Sequence, residues 1–449
     1  MTRSGEQLRL GFVAVMRSTF DVPLAESMVR DARARLAEGG FDLAGPAGAV
    51  STVEEAGAAA KELAGEPIDA LVVFQATFAD SGMARALAEG SDAPLLLWAI
   101  PEKPSGGRLR LNSYCGVNLG AHALRRAGLR YEALYLDAAD PEAVERIRTL
   151  ARAGRIRRRL RGTRIGRFGP EPDGFASCVM DAEALRERLG VEVAQYELAS
   201  LFDDVKRMDG EEIDRLRNDL TGRIDGLREQ DPEGVKGTLG TYLALRRLAE
   251  KEGLAGFAIR CWPEFFTGMQ CAACGALSLL SDELTPASCE SDVNGVITQL
   301  TLQEAAGAPV FDSDIVAVNE ELDGVVFWHC GKAPLSMADP EERPLATVHS
   351  NRLMPLLMEF PLKPGPVTLA RLSAATGGYR LVIGTGEMVR SAKSFTGTSG
   401  VCRFAKPAKA FMETILEEGL EHHVALAYGD HTATLRALAR LLDLPVLEL

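Results

Sequence analysis

Apolar runs alternate with amphipathic segments along the first third of the chain. Near-continuous apolar stretches, typical of strands buried on both faces, lie at residues 8–16, 68–78, 93–101 and 132–137. Apolar positions recur at helical spacing in residues 23–40 and 140–160. Strands that alternate with helices in this way predict a parallel sheet covered by helices on both faces.

The same alternation starts again near residue 161. Strands are predicted at residues 190–198, 256–263 and 324–331, and helices at residues 182–189, 210–229, 238–252 and 271–283. No G-x-G-x-x-G follows the first strand of the chain, which argues against a dinucleotide site there. This region therefore predicts a second parallel sheet.

The last hundred residues have a different pattern. Residues 365–389 form short strand-like runs separated by Gly-Gly and Thr-Gly turns, which is typical of an antiparallel sheet or small barrel, and residues 432–444 are an amphipathic helix. We therefore expect an α/β protein with two Rossmann-like parallel-sheet domains followed by a small antiparallel, barrel-like domain. The expected domains are residues 1–160, 161–345 and 346–449.

Composition narrows the function classes. The 449 residues carry a net charge of −13, which argues against nucleic-acid and anionic-membrane partners. No apolar run reaches the ~20 residues that span a bilayer, and the first residues fit a strand better than a secretory signal. The eight cysteines contain a single C-x-x-C, Cys271 and Cys274, without the second pair that a zinc knuckle needs. We expect a cytoplasmic protein.

The octet SCESDVNG places two acids, Glu290 and Asp292, two residues apart. On an extended backbone both side chains would lie on one face and repel each other, unless a proton or a cation intervened. The octet thus predicts a nearby counter-charge. The alternative is an ordinary junction in which the acids are solvated and Asn294 caps the following helix.

Metal-ligand residue types recur at predicted strand ends elsewhere in the chain. Five of the six histidines follow residue 328, and apolar residues surround most of them. Candidate oxygen and imidazole donors are Glu264, Glu290, Asp292, His329, His422, His423 and His431. Because sites in open parallel sheets collect at the carboxyl ends of strands, these segments together favour a divalent-metal site.

The same segments resemble the metal-dependent L-fucose isomerase and L-arabinose isomerase superfamily. The similarity covers most of the chain and rests on ESDVNGV, WPEFF, WHCGKAP, HHVAL, PLKPGPVTLARL, QATFADS and GVNLGAHAL. WPEFF stands where the family carries a glutamate ligand, and HHVAL resembles its paired histidines. The chain is shorter than the well-known sugar isomerases, and the spacing of 28 from Glu264 to Asp292 matches neither subfamily.

The resemblance implies an aldose–ketose isomerase that works through an enediol and uses Mn²⁺, Mg²⁺ or Co²⁺. Implied metal ligands are Glu264, Asp292, Glu290 and His423, with Glu264 and Asp292 also moving the proton. Implied substrate contacts are His329, Lys332, Arg17, Gln75, Asn118 and His431. The second carboxylate ligand is Glu290 or Asp292, and the nitrogen ligand is His423 or His431.

The resemblance further implies a homo-oligomer, a trimer or a hexamer, in which the first domain covers a neighbour's site. The expected partner is a small sugar. Two alternatives remain: an epimerase or aldolase-type metal enzyme on the same scaffold, and a sugar-binding protein without catalysis.

Overall fold

The structure is a computed structural model that describes residues 7–449. The described chain divides into two compact units, with the division between Arg158 and Arg159. None of the helices in residues 7–449 has both the length and the apolar character that spanning a bilayer requires.

The first unit is built on a five-stranded parallel sheet in the order β2-β1-β3-β4-β5. Its strands are β1 (Leu8–Val15), β2 (Phe41–Ala44), β3 (Ala70–Gln75), β4 (Leu95–Ala99) and β5 (Glu132–Tyr135). Its helices are α1 (Val22–Glu38), α2 (Val53–Ala64), α3 (Ser81–Glu89), α4 (Ser113–Arg126) and α5 (Pro141–Leu160). Every residue of β3 and β4 is buried, as expected of central strands with helices on both faces. The predicted first parallel sheet is confirmed.

The second unit opens with a four-stranded parallel sheet in the order β7-β6-β8-β9. Its strands are β6 (Arg164–Phe168), β7 (Glu192–Tyr196), β8 (Leu254–Ile259) and β9 (Ala287–Cys289). Its helices are α6 (Ala182–Leu189), α7 (Leu198–Lys206), α8 (Gly210–Thr221), α9 (Pro232–Glu252), α10 (Cys274–Asp282) and α11 (Val293–Ala306). The second parallel sheet is confirmed, although α8 ends at Thr221, before Gly222, and not at residue 229.

A mostly antiparallel nine-stranded sheet completes this unit, in the order β12-β13-β16-β11-β10-β17-β14-β15-β18. Its strands are β10 (Phe311–Asn319), β11 (Gly324–His329), β12 (Leu345–Thr347), β13 (Leu357–Pro361), β14 (Gly365–Ser373), β15 (Arg380–Val389), β16 (Thr398–Phe404), β17 (His423–Tyr428) and β18 (Val446–Glu448). Helices α12 (Ala408–Glu417) and α13 (Thr432–Leu442) accompany it. Because β15 also pairs with β16, strands β16, β11, β10, β17, β14 and β15 close into an antiparallel ring. The predicted barrel-like character is confirmed.

One predicted strand lies in a different sheet. Residues 324–331 were expected to join the second parallel sheet, but β11 pairs antiparallel with β10 and β16. The connection from Asn319 to Gly324 explains the difference, because a parallel crossover needs a dozen or more residues. Leu322 N donates to Asn319 Oδ1 and closes this short turn (3.0 Å).

Helix α11 joins the parallel sheet to the barrel. It packs against β8, β14 and β17, and most of its residues are buried. Its buried residues include polar ones such as Asn294, Thr298 and Gln299, so α11 lies in the interior on all sides. Its first turn therefore brings the end of the acidic octet against the barrel strands.

Candidate active site

The acidic octet turns sharply between β9 and α11. Glu290 and Ser291 both have left-handed backbone conformations, with φ of 57° and 56°. Ser291 Oγ donates to the carbonyl oxygen of Gly169 (2.8 Å), which anchors the turn to the end of β6. Because the backbone is not extended here, Glu290 and Asp292 do not share one face. Glu290 and Asp292 instead contact different sets of side chains.

Asp292 is fully buried and performs two tasks. Its Oδ1 accepts from Gly295 N (2.8 Å), so Asp292 caps α11, the role that the junction alternative gave to Asn294. Its Oδ2 lies 2.6 Å from Arg371 Nη1, a fully buried guanidinium on β14. Burial would raise the pKa of Asp292, but Arg371 and His423 outweigh it and hold the pKa well below its usual range.

Asp292 also orients His423, the first residue of β17. His423 Nδ1 lies 3.0 Å from Asp292 Oδ2, which leaves Nε2 for the other side of the ring. A carboxylate behind a histidine in this way fixes the ring and raises its basicity as a ligand. The predicted counter-charge is thus present, and it is Arg371 with His423.

Glu290 lies near Nε2 of His423, the ring nitrogen that Asp292 does not contact. Its Oε2 lies 2.9 Å from His422 Nε2 and 3.8 Å from His423 Nε2, and its Oε1 accepts from Trp262 Nε1 (3.3 Å). Burial would raise the pKa of Glu290, but the two histidines lower it below its ordinary value. Donor atoms of Cys178, Glu290, His422 and His423, called the donor group below, lie within 4.8 Å of one another.

Asp314 adds an oxygen beside this group. The β10–β17 register places Asp314 opposite His423, and Asp314 Oδ1 lies 3.5 Å from His423 Nε2. That oxygen is buried without a hydrogen-bond donor among the described residues. A buried oxygen without a partner is costly, and a cation would satisfy it. The carboxylates and imidazoles present therefore fit a divalent metal ion.

Glu264 lies outside the grouped donors. It follows β8 and precedes the short π-helical segment Phe265–Met269. Both of its carboxylate oxygens accept from Arg260 Nε, at 2.8 and 3.0 Å, and the side chain is 38% exposed. The structure thus brings Glu290 and His423 together, places Asp292 behind His423, and holds Glu264 on Arg260.

Two further predicted contacts, His329 and Lys332, are buried. Lys332 Nζ pairs with Asp312, and both side chains are almost fully buried, so Lys332 is not a surface lysine. Burial would lower the pKa of Lys332, but Asp312 raises it above its ordinary value. The pKa of His329 is well below its ordinary value because the ring is buried and Lys332 lies nearby.

The neutral ring of His329 lies among thiols. Its Nε2 lies 3.1 Å from Cys289 Sγ, and its Nδ1 accepts from Cys330 N (2.9 Å). Cys274 Sγ lies 3.0 Å from Cys330 Sγ, so the C-x-x-C cysteine is adjacent to a thiol 56 residues further along the chain. Sequence spacing does not reveal this neighbour.

The other predicted substrate contacts belong to both units. His431 Nε2 lies 2.9 Å from the carbonyl oxygen of Tyr428, so its ring contacts the backbone of its own turn. In the first unit, Arg17 is exposed after β1 and pairs with Asp80 (3.0 Å), and Asn118 is exposed on α4. Gln75 ends β3, and its Nε2 is buried without an acceptor in the described residues.

Several residues of the site were not among the predicted ones. They are Cys178, Trp262, Asp314 and Arg371. One of them had a local signal, because Trp262 lies in WPEFF, and the candidate donor His422 lies in HHVAL. Arg371 and Asp314 had none, since their proximity to the octet depends on barrel closure and strand register.

Family models match both ends of the chain. Residues 11–161 match the model described as fucose/sulfoquinovose isomerase, N-terminal domain, and residues 327–449 match L-fucose isomerase, C-terminal domain. A periplasmic solute binding protein of an ABC transporter from Actinobacillus succinogenes, solved with D-allose, aligns with 66% of this chain and 92% of its own. Its TM-score of 0.18 and identity of 14% are too low to bear on fold or function.

Full-length relatives agree with the family models. Sulfoquinovose isomerase of Alkalicoccus urumqiensis is 31% identical over 443 residues, 98% of each chain. Sulfoquinovose isomerase of Priestia megaterium is 32% identical over 436 residues, 96% of this chain and 97% of its own. The protein of the same name from Clostridium sp. is 31% identical over 83% of this chain and 85% of its own. The chain therefore belongs to the L-fucose isomerase-like family and is an aldose–ketose sugar isomerase.

Proposed function

We propose that this protein interconverts sulfoquinovose and its 2-ketose through an enediol, with a divalent metal ion. The substrate proposal rests on relatives of that name that match nearly the whole chain. The observation that carries the chemistry is the group formed by Glu290 and His423, with Asp292 behind the histidine.

Glu290 and His423 would hold the ion, with Asp314 and His422 beside them. Oxygen and imidazole donors suit Mn²⁺, and also Mg²⁺ or Co²⁺. When bound, such an ion would supply Lewis-acid polarisation of sugar oxygens. Asp292 keeps the Nδ1 proton of His423 in place, so that Nε2 faces Glu290.

Glu264 is the carboxylate that we assign to proton transfer. Aldose–ketose exchange removes a proton from C2 and returns one to C1, while a hydroxyl proton moves between the two oxygens. The side chain of Glu264 is partly exposed and is oriented by Arg260. Asp292 is fully buried in its ion pair and cannot reach a sugar carbon. This assignment keeps one of the two proton-transfer residues expected from the sequence and gives the other an orienting role.

Proton exchange in heavy water tests the proposal. Purified enzyme with Mn²⁺ and sulfoquinovose should place deuterium at C1 of the ketose and at C2 of the recovered aldose, read by NMR. Dialysis against EDTA should abolish exchange, and Mn²⁺ should restore it. If metal-loaded enzyme forms neither ketose nor deuterated sugar, the isomerase proposal for this sugar is refuted. Ketose formed without any deuterium would argue against the enediol route, and a C2 epimer as the main product would indicate an epimerase.

A further inference from the structure

A short loop between β12 and β13 presents an arginine beside the site. His349 N donates to the carbonyl oxygen of Met354 (2.9 Å), and the His349 carbonyl accepts from the backbone of Arg352 (3.1 Å) and Leu353 (2.7 Å). These bonds close the loop on itself. The Arg352 side chain is therefore carried by a backbone with defined geometry.

Arg352 has no carboxylate partner among the described residues. Other arginines of this unit have one, for example Arg260 with Glu264 and Arg371 with Asp292. The Arg352 guanidinium instead lies over two aromatic rings, with Cζ 5.8 Å from the Trp262 centroid and 5.3 Å from that of Phe266. An aromatic support attracts the cation and leaves its hydrogen-bond donors available for an anion.

Trp262 connects this arginine to the donor group. The indole Nε1 donates to Glu290 Oε1 (3.3 Å), and Phe175 packs edge-on against the same indole (5.4 Å) and against His422 (6.0 Å). The indole nitrogen of Trp262 is therefore bound to Glu290 of the donor group, and the Arg352 guanidinium lies over the ring of the same indole. A sugar with C1 and C2 at the donor group can extend its far end along this ring.

His349 provides a second hydrogen-bond donor on the same loop as Arg352. Its ring meets Phe266 edge-on (5.2 Å), and its Nδ1 accepts from Asn351 N (3.3 Å). With Nδ1 as acceptor, the ring proton is on Nε2. Burial and the nearby charge of Arg352 lower the pKa of His349, which agrees with a neutral ring that donates from Nε2.

We propose that Arg352, with His349 beside it, binds the sulfonate at C6 of the substrate and thereby sets specificity. This inference rests on the proposed function. A guanidinium can give two parallel hydrogen bonds to a tetrahedral oxyanion, which a lysine cannot reproduce. A phosphate at C6 presents the same shared chemistry, so the experiment includes both anions.

The test compares Arg352→Gln, Arg352→Lys and wild type on sulfoquinovose, glucose 6-phosphate and 6-deoxyglucose, which lacks the anion. For Arg352→Gln we expect kcat/KM on sulfoquinovose to fall about 10–100-fold, mainly through KM, as for a lost charge-assisted hydrogen bond. On 6-deoxyglucose the change should stay within about twofold, because no bond is lost there. The kcat/KM of Arg352→Lys on sulfoquinovose should lie between those of wild type and Arg352→Gln. Arg343→Gln, an exposed arginine that pairs with Asp225, is the matched control and should resemble wild type.

The outcomes separate the two proposals. Wild-type enzyme that prefers 6-deoxyglucose or glucose 6-phosphate to sulfoquinovose would overturn the proposed substrate, and the sulfonate role with it. Equal losses on sulfoquinovose and 6-deoxyglucose in Arg352→Gln, or no loss on either, would overturn the role of Arg352 and leave the isomerase proposal standing. Thermal melting of each variant checks that it is folded.

Discussion

At the scale of single residues, the two acids of SCESDVNG have different functions. Glu290 faces the imidazoles of His422 and His423, whereas Asp292 is buried on Arg371. The sequence predicted correctly that these acids need a counter-charge. It could not predict their separation, because left-handed backbone at Glu290 and Ser291 is rare for residues other than glycine.

This difference predicts unequal effects of two conservative substitutions on stability. Asp292→Asn leaves the buried Arg371 charge without its carboxylate, which should lower the free energy of unfolding by about 3–5 kcal/mol. Glu290→Gln should leave stability within about 1 kcal/mol, because its carboxylate is nearer the surface. Urea unfolding of EDTA-treated protein measures both. Equal destabilisation by the two substitutions would contradict the structural role of Asp292.

Metal content separates the same residues in another way. Glu290→Gln should reduce bound Mn²⁺ after gel filtration and lower turnover at least ~10²-fold, because it removes a proposed ligand. Glu211→Gln, an exposed acid on α8, is the control and should keep both. A Glu290→Gln variant that retains full metal content would exclude Glu290 as a ligand.

At the scale of elements, sequence patterns identified about half of the strands and helices but not all pairings. The sequence alone identified β1, β3, β4 and β8 as strands, because burial on both faces leaves a continuous apolar run of residues. The barrel location of β11 depended on its partner β10, which has only a mixed burial pattern and was not predicted. The burial of Lys332 could not be predicted for the same reason, since its buried partner Asp312 lies on that unpredicted strand.

The Lys332–Asp312 pair allows the structural and substrate roles of this lysine to be separated. Lys332→Met alone should destabilise the protein by about 3–5 kcal/mol, because it leaves a buried carboxylate unpaired. Lys332→Met combined with Asp312→Leu should recover most of that loss. Recovery of turnover along with stability would show that Lys332 acts through the fold. Restored stability with turnover still absent would support the predicted substrate contact.

At the scale of the whole molecule, the chain separates into two units with different chemistry. The proposed metal ligands all follow Arg159, whereas Arg17, Gln75 and Asn118 precede it. Arg17 and Gln75 lie at or beyond the carboxyl ends of parallel strands, where α/β sheets bind ligands. The resemblance to the isomerases led us to expect that a neighbouring subunit supplies these residues. Sequence alone could suggest this arrangement only through that resemblance.

Subunit mixing tests whether the active site is shared. Glu290→Gln should inactivate a subunit's own metal site, and Arg17→Ala with Asn118→Ala should remove substrate contacts without disturbing the core, since both side chains are exposed. If a site combines the second unit of one subunit with the first unit of another, co-refolding the two inactive variants should regain part of the wild-type turnover. Co-refolded Glu290→Gln and His423→Ala, both altered in the same unit, form the control and should stay inactive.

Sedimentation should show a trimer or a hexamer. Full activity of the Arg17 and Asn118 variant by itself would remove these residues from the site, and an active monomer at high dilution would exclude sharing.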